Sequence, residues 1–172
     1  MGTHVSRGAD VQAVLDGVRR IVQALRASSR WAERHVGLSG AQLFVLQKLA
    51  ETPGISVNEL AERTHTHQSS VSVVVSRLAA LGLVTRTRSA ADGRRVELSL
   101  AARARRVVGR APDVAQERLI RGIERLQPAR RHELALVLGD LATAMQADAS
   151  PPRMFFEERT AARPAGRRVR RG

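Results

Sequence analysis

The sequence predicts a mainly α-helical fold carrying one small β-hairpin, and three observations support it. Apolar residues recur at spacings of three and four through most of the chain, as in helices buried along one face. Two stretches, Leu83–Ser89 and Val96–Leu100, alternate instead, and the turn dipeptide Asp92-Gly93 lies between them. Only 2% of residues are aromatic, so the core must be built from Leu, Val, Ile and Ala, which suits helices packed along aliphatic stripes.

Taken in order, residues 1–9 read as a flexible leader. From Asp10, a plausible N-cap, the positions Val11, Val14, Leu15, Val18, Val22 and Leu25 mark a helix running to about Val36. A helix that long is hard to cover within one small domain, so part of its stripe is expected to pack against another subunit. Ser39 caps a second helix with Leu43, Leu46 and Leu49-Ala50 on its buried face, ended by Thr52-Pro53-Gly54. Ile55-Ser56 is a short extended piece and Val57–Arg63 a brief helix. Thr64-His65-Thr66-His67 is a turn, and Gln68–Leu81 is a helix stopped by Gly82. Two short helices joined by a tight turn make a helix-turn-helix, and a hairpin directly after the second is a wing.

Ala101–Leu126 is again helical, kinked or restarted at Pro112, and Pro128 opens a last helix with the stripe Leu134, Val137, Leu138, Leu141 and Met145. Pro151-Pro152 is expected to end ordered structure. The tail holds seven arginines against Glu157 and Glu158 and reads as mostly disordered. The expected organisation is a leader over 1–9, a winged helix-turn-helix over 39–100 flanked by dimerisation helices at 10–36 and 101–149, and a basic tail over 151–172.

Twenty-nine Lys and Arg against sixteen Asp and Glu leave a net charge of +13, which calls for a polyanionic partner, nucleic acid or an anionic membrane. Lys48 is the only lysine, so arginine-rich codon usage inflates the surplus without explaining where the arginines sit. No cysteine means no disulfide, thiol sensor or Cys-ligated zinc. His65 and His67 alternate in a turn near Glu62 while His4, His35 and His132 are scattered, a spacing that makes no metal site. No cofactor is expected. Neither paired carboxylates, a phosphate loop nor an oriented histidine suggests an enzyme. No apolar run reaches the ~20 residues of a membrane span, which points to a soluble cytoplasmic protein.

The helix Gln68–Leu81 carries small hydrogen-bonding side chains, Gln68, Ser69, Ser70, Ser72 and Ser76, of the kind that fits a major groove. Val71, Val74, Val75 and Leu78 fall on the opposite, core side. Ser72, Val73, Ser76 and Arg77 are expected to face DNA, with Val73 available to a thymine methyl. By itself this helix could equally be a serine-rich surface helix. The hairpin shifts the balance, because arginine at a narrow tip, Arg94 or Arg95, can reach a minor groove. Asp92 is expected to orient one of these arginines by a charge-assisted bond. Arg86 and Arg88 on the preceding strand can contact flanking phosphates, as can Arg163, Arg167, Arg168, Arg170 and Arg171 of the tail.

The series Val57-Asn58-Glu59-Leu60-Ala61, Ser69-Ser70-Val71-Ser72 to Arg77-Leu78, Leu81-Gly82-Leu83-Val84-Thr85-Arg86, Asp92-Gly93-Arg94-Arg95 and Val96-Glu97-Leu98-Ser99-Leu100 resembles the MarR family of bacterial transcriptional regulators over roughly residues 10–148. The resemblance implies a homodimer joined by the first and last two helices, a recognition helix at Gln68–Leu81, and a wing whose Arg94 enters the minor groove. Where the family usually has Leu-Thr and a nearby glycine, this chain has Leu98-Ser99-Leu100-Ala101, with Ser99 as the expected helix cap.

The resemblance also implies a small, often aromatic, effector between the dimer helices and the DNA-binding lobe. Trp31, Arg34, His35, Gln42 and Phe44 are the candidates, with the alternative that Trp31 and Phe44 are core anchors. The expected function is that of a sequence-specific, homodimeric, double-stranded-DNA-binding transcriptional repressor that acts on a palindromic operator and is relieved by a ligand. The alternatives are an architectural or nucleoid-type DNA binder without an effector, and a purely protein-binding dimer.

Overall fold

A computed structural model describes residues 3–90, 92–147 and 154–156. Among these described residues, seven helices and one hairpin follow in the order α1 (Thr3–Val36), α2 (Gly40–Glu51), α3 (Val57–Arg63), α4 (Gln68–Ala80), β1 (Val84–Arg88), β2 (Val96–Leu100), α5 (Ala102–Val108), α6 (Ala115–Glu124) and α7 (Pro128–Ala144). Helix therefore starts seven residues earlier than Asp10, and the expected leader is helical from Thr3 onward. The propensity of residues 3–9 carries no apolar stripe, which is why periodicity did not find them.

The core gathers around α2. Ala41 to Leu46 are all buried, so this helix is covered on every side rather than on one face, although Ala50 stays exposed. Leu60 of α3, Val71, Val74, Val75 and Leu78 of α4, and Leu98 of β2 complete the centre. Ser39 opens α2 with a reciprocal cap. Its hydroxyl accepts the Gln42 N–H at 3.2 Å while the Gln42 side-chain oxygen accepts the Ser39 N–H at 2.8 Å. Ser56 and Glu59 repeat the device at α3.

α4 ends where Gly82 takes φ +66, and the Leu83 N–H donates back to the Leu78 carbonyl. β1 and β2 pair antiparallel from Val84 opposite Leu100 to Arg88 opposite Val96. Ile55 adds an isolated bridge to Leu98, which ties the base of the hairpin to the segment entering α3.

Pro112 splits the expected long helix into α5 and α6. The gap is held by Gln47, whose amide donates to the Pro112 carbonyl at 2.9 Å and accepts the Val114 N–H at 3.3 Å. Ala101, with no side-chain cap bond, occupies the N-cap position of α5. The junction therefore does without the expected Ser99 cap, because strand pairing carries the chain through Leu100. Met154 is buried against the core and Phe155-Phe156 form a turn, so order does not stop at Pro151-Pro152. The tail arginines lie outside the described residues.

Candidate nucleic-acid interface

α4 sorts its side chains by burial. Gln68, Ser69, Val73 and Ser76 are exposed, Ser72 and Arg77 are half-buried, and the four core residues face α2. Val73 is an apolar residue left 41% exposed among hydroxyls. Ser70 does not belong to this face. It is only 7% exposed, because at one step before Val71 and four before Val74 it falls on the core side of the helix.

Arg86 on β1 reaches across to this helix. Its guanidinium donates to the Ser76 hydroxyl at 2.9 Å, and that hydroxyl donates to the Ser72 carbonyl at 2.8 Å. Ser76 thus fixes a cation beside the exposed row of α4, a pairing that no spacing rule within one element could reveal. Arg88 is exposed further along the same strand.

At the wing tip, Asp92 behaves differently from expectation. Its carboxylate accepts the backbone N–H of Arg94 at 3.0 Å, and its carbonyl accepts the N–H of Arg95 at 2.9 Å. It shapes the turn rather than orienting a guanidinium, since a carboxylate two residues before an amide is in easy reach of it. Arg94 is exposed. Arg95 instead turns back, its guanidinium 2.7 Å from the Glu59 carboxylate of α3. Glu59, which the sequence offered only as a member of the brief helix and of the family-like series, is held below the usual carboxylate range. The main cause is the Ser56 backbone N–H, with the Ser56 hydroxyl and Arg95 adding to it.

The effector candidates separate. Trp31 and His35 stack at 4.6 Å with their rings 12° apart, and Arg34 is exposed beside them on α1. Gln42 and Phe44 are buried, Gln42 spent on the α2 cap and Phe44 at the centre of the core. The two do not reach the surface carrying Trp31. A cleft of about 590 Å³ between α3 and α6 is lined by other residues, among them Glu59, Glu62, Arg63, His65 and Glu124.

The winged region and its flanks have relatives. Residues 36–95 match the model of the MarR family. The HTH-type transcriptional repressor MdtR of Bacillus subtilis is 33% identical over 92 residues, a match spanning 54% of this chain and 57% of that protein, little more than half of its length. An HTH-type transcriptional repressor of Mycobacterium tuberculosis is 28% identical over 124 residues, 72% of this chain and 89% of the relative. The solved regulator BldR of Sulfolobus solfataricus shares the fold at a TM-score of 0.51 and 21% identity, over 83% of this chain and 99% of its own. A structure of Bordetella bronchiseptica BpsR, described as the mechanism by which 6-hydroxynicotinic acid regulates its DNA binding, aligns at a TM-score of 0.52 and 26% identity, over 75% and 92% of the two chains. With the hairpin in place behind the exposed row of α4, and with these repressors and regulators resembling it in sequence or fold, the family that the chain matches, through its winged segment at residues 36–95, is the MarR family of transcriptional regulators.

Proposed function

We propose that the protein is a homodimeric, sequence-specific DNA-binding repressor that reads a palindromic operator through α4 and the wing. The observation that carries this reading is the exposed row Gln68, Ser69, Val73 and Ser76, flanked by Arg86 and by the outward Arg94 at the tip of the hairpin. Donors and a methyl group are exposed on the helix that Arg86 contacts, and Arg94 is exposed at the hairpin tip, a set of groups suited to base edges, phosphate and a minor groove. One winged unit covers about 600–1,000 Å² of DNA, which rarely suffices for tight specific binding, and two copies on a twofold axis would place half-sites about one helical turn apart.

The dimer is supported by apolar surface that one chain leaves uncovered. Val11, Val14, Leu15, Val18 and Ile21 of α1 and Leu134, Val137, Leu138 and Leu141 of α7 are exposed, and no residue of α7 is buried. Single exposed apolar residues are ordinary, but two long stripes indicate an interface. A small-molecule effector is supported by the relative whose DNA binding is regulated by 6-hydroxynicotinic acid and by the Trp31–His35 stack beside Arg34.

The test is a footprint on the DNA flanking the protein's own gene. A protected palindrome supports the reading, and uniform protection of all sequences, as an architectural binder would give, overturns it. Adding 6-hydroxynicotinic acid and related aromatic acids to the same assay tests the effector, which should release the footprint.

A further inference from the structure

We propose that Arg95 is a positioning residue of the wing, clamped by Glu59 so that its neighbour Arg94 is the one aimed away from the body; the proposal rests on the DNA-binding reading above. The wing is supported by packing only at its base. Leu98 and Leu100 of β2 are buried and Ile55 bridges Leu98, but Val96 is 43% exposed and β1 beyond Val84 is exposed throughout. Apolar support therefore ends before the tip, and a different tie takes over there.

That tie is the Glu59 carboxylate, which lies 36 residues from Arg95 in sequence. Its Oε2 accepts the Ser56 N–H at 2.7 Å and the Ser56 hydroxyl at 2.8 Å, so the helix cap holds the acceptor in place. Arg95 Nη2 then donates to both oxygens, at 2.7 and 3.0 Å. One partner being ordered already, the pair loses less side-chain freedom on forming than two mobile surface residues would.

Arg95 is also where the hairpin closes. Its N–H donates to the Asp92 carbonyl and its carbonyl accepts the Ser89 N–H, both at 2.9 Å. Holding its guanidinium on α3 therefore holds the backbone of the turn, and Arg94, whose N–H is fixed by Asp92, is carried with it. The contact is partly exposed, 42% on each side, so its effect is modest in size and geometric in kind.

The test uses Glu59→Gln, Arg95→Gln and their double variant in the full-length protein. Glutamine can serve the α3 cap, as Gln42 serves α2, while it removes the charge that holds Arg95. Hydrogen exchange at the Ser89 and Arg95 amides of the free protein reads the tie. Exchange should quicken in both single variants while the thermal midpoint stays near that of the wild type. The consequence is read on a duplex selected by the wild-type protein from random DNA. Each single variant should bind about two- to fivefold more weakly, and the double variant no worse than the weaker single. In an Arg94→Ala background, Glu59→Gln should have no further effect.

Equal or tighter binding by Glu59→Gln, together with an Arg95→Gln loss whose salt dependence is shallower by about one phosphate contact, would mean that Arg95 touches DNA itself and would overturn the proposal. Should the wild type select no sequence, the DNA-binding reading is what fails, and unchanged exchange in Glu59→Gln would separately sink the tie.

Discussion

The Lys48 ammonium lies 2.7 Å from the Glu117 carboxylate, joining α2 to α6 where the two side chains are 12% and 9% exposed. It is the only lysine among 29 basic residues. Glu117 is shared with Arg121 at 2.9 Å, which in turn reaches Asp113, and Lys48 also lies 3.2 Å from Glu51 and over the Phe44 ring. A compact ammonium fits between a core phenyl ring and two carboxylates, where a planar guanidinium fork needs more room.

Removing one side of this covered pair strands the other. Lys48→Met should lower unfolding free energy by about 1–3 kcal/mol, less than a fully isolated buried charge would because Arg121 still serves Glu117. Lys48→Arg should also destabilise, by overpacking. Urea denaturation of the three proteins measures both, and a Lys48→Arg midpoint equal to wild type would remove the steric explanation.

Two of these groups set opposite pH limbs. Burial pulls the Lys48 pKa down, but the bonds to Glu117 and Glu51 outweigh it and hold the group above its ordinary value. Its contribution to stability is therefore complete below about pH 10.5 and is lost as pH rises through the raised value. Glu59 is lowered, so its contribution is present above its usual value near 4.5 and lost as pH falls through the depressed one. Thermal melts should show a flatter alkaline limb in Lys48→Met and a flatter acid limb in Glu59→Gln, each leaving the other limb unchanged.

The exposed stripes of α1 and α7 predict an oligomer that charge can break. Leu138→Glu with Leu141→Glu should shift the protein from dimer to monomer in sedimentation equilibrium. A wild-type protein that sediments as a monomer at tens of micromolar would contradict the dimer directly.

Ser70 and Ser76 sit six residues apart on α4 and predict different losses. Ser76→Ala releases Arg86 and should weaken operator binding, and Arg94→Ala should cost about 1–3 kcal/mol of it. Ser70→Ala should leave operator affinity unchanged, because this side chain is buried. Titration of fluorescent duplex separates the three, and a Ser70→Ala loss as large as that of Ser76→Ala would contradict the face assigned to α4.

Gly82 holds φ +66 with nothing within 4 Å of where a Cβ would lie. Gly82→Ala should therefore cost about 1–2 kcal/mol through backbone strain alone. A neutral substitution in chemical denaturation would show that α4 ends without the left-handed residue.

Local pattern was enough to place α2 to α4, the hairpin, the restart at Pro112 and the family resemblance. Caps, periodicity and turn residues act over a few positions, and Ser39, Gly82 and Asp92-Gly93 state their roles within that reach. Two misassigned residues answer to their own helix: Ser70 is turned to the core by its rotation, and Gln42 is consumed by the cap with Ser39. Others answer to partners far along the chain, as Gln47 does in closing a gap some 65 residues away. Arg95 is drawn off by Glu59. A charge run shows that cations are present, but which guanidinium stays outward depends on which carboxylate the fold brings beside it, and only tertiary structure decides that.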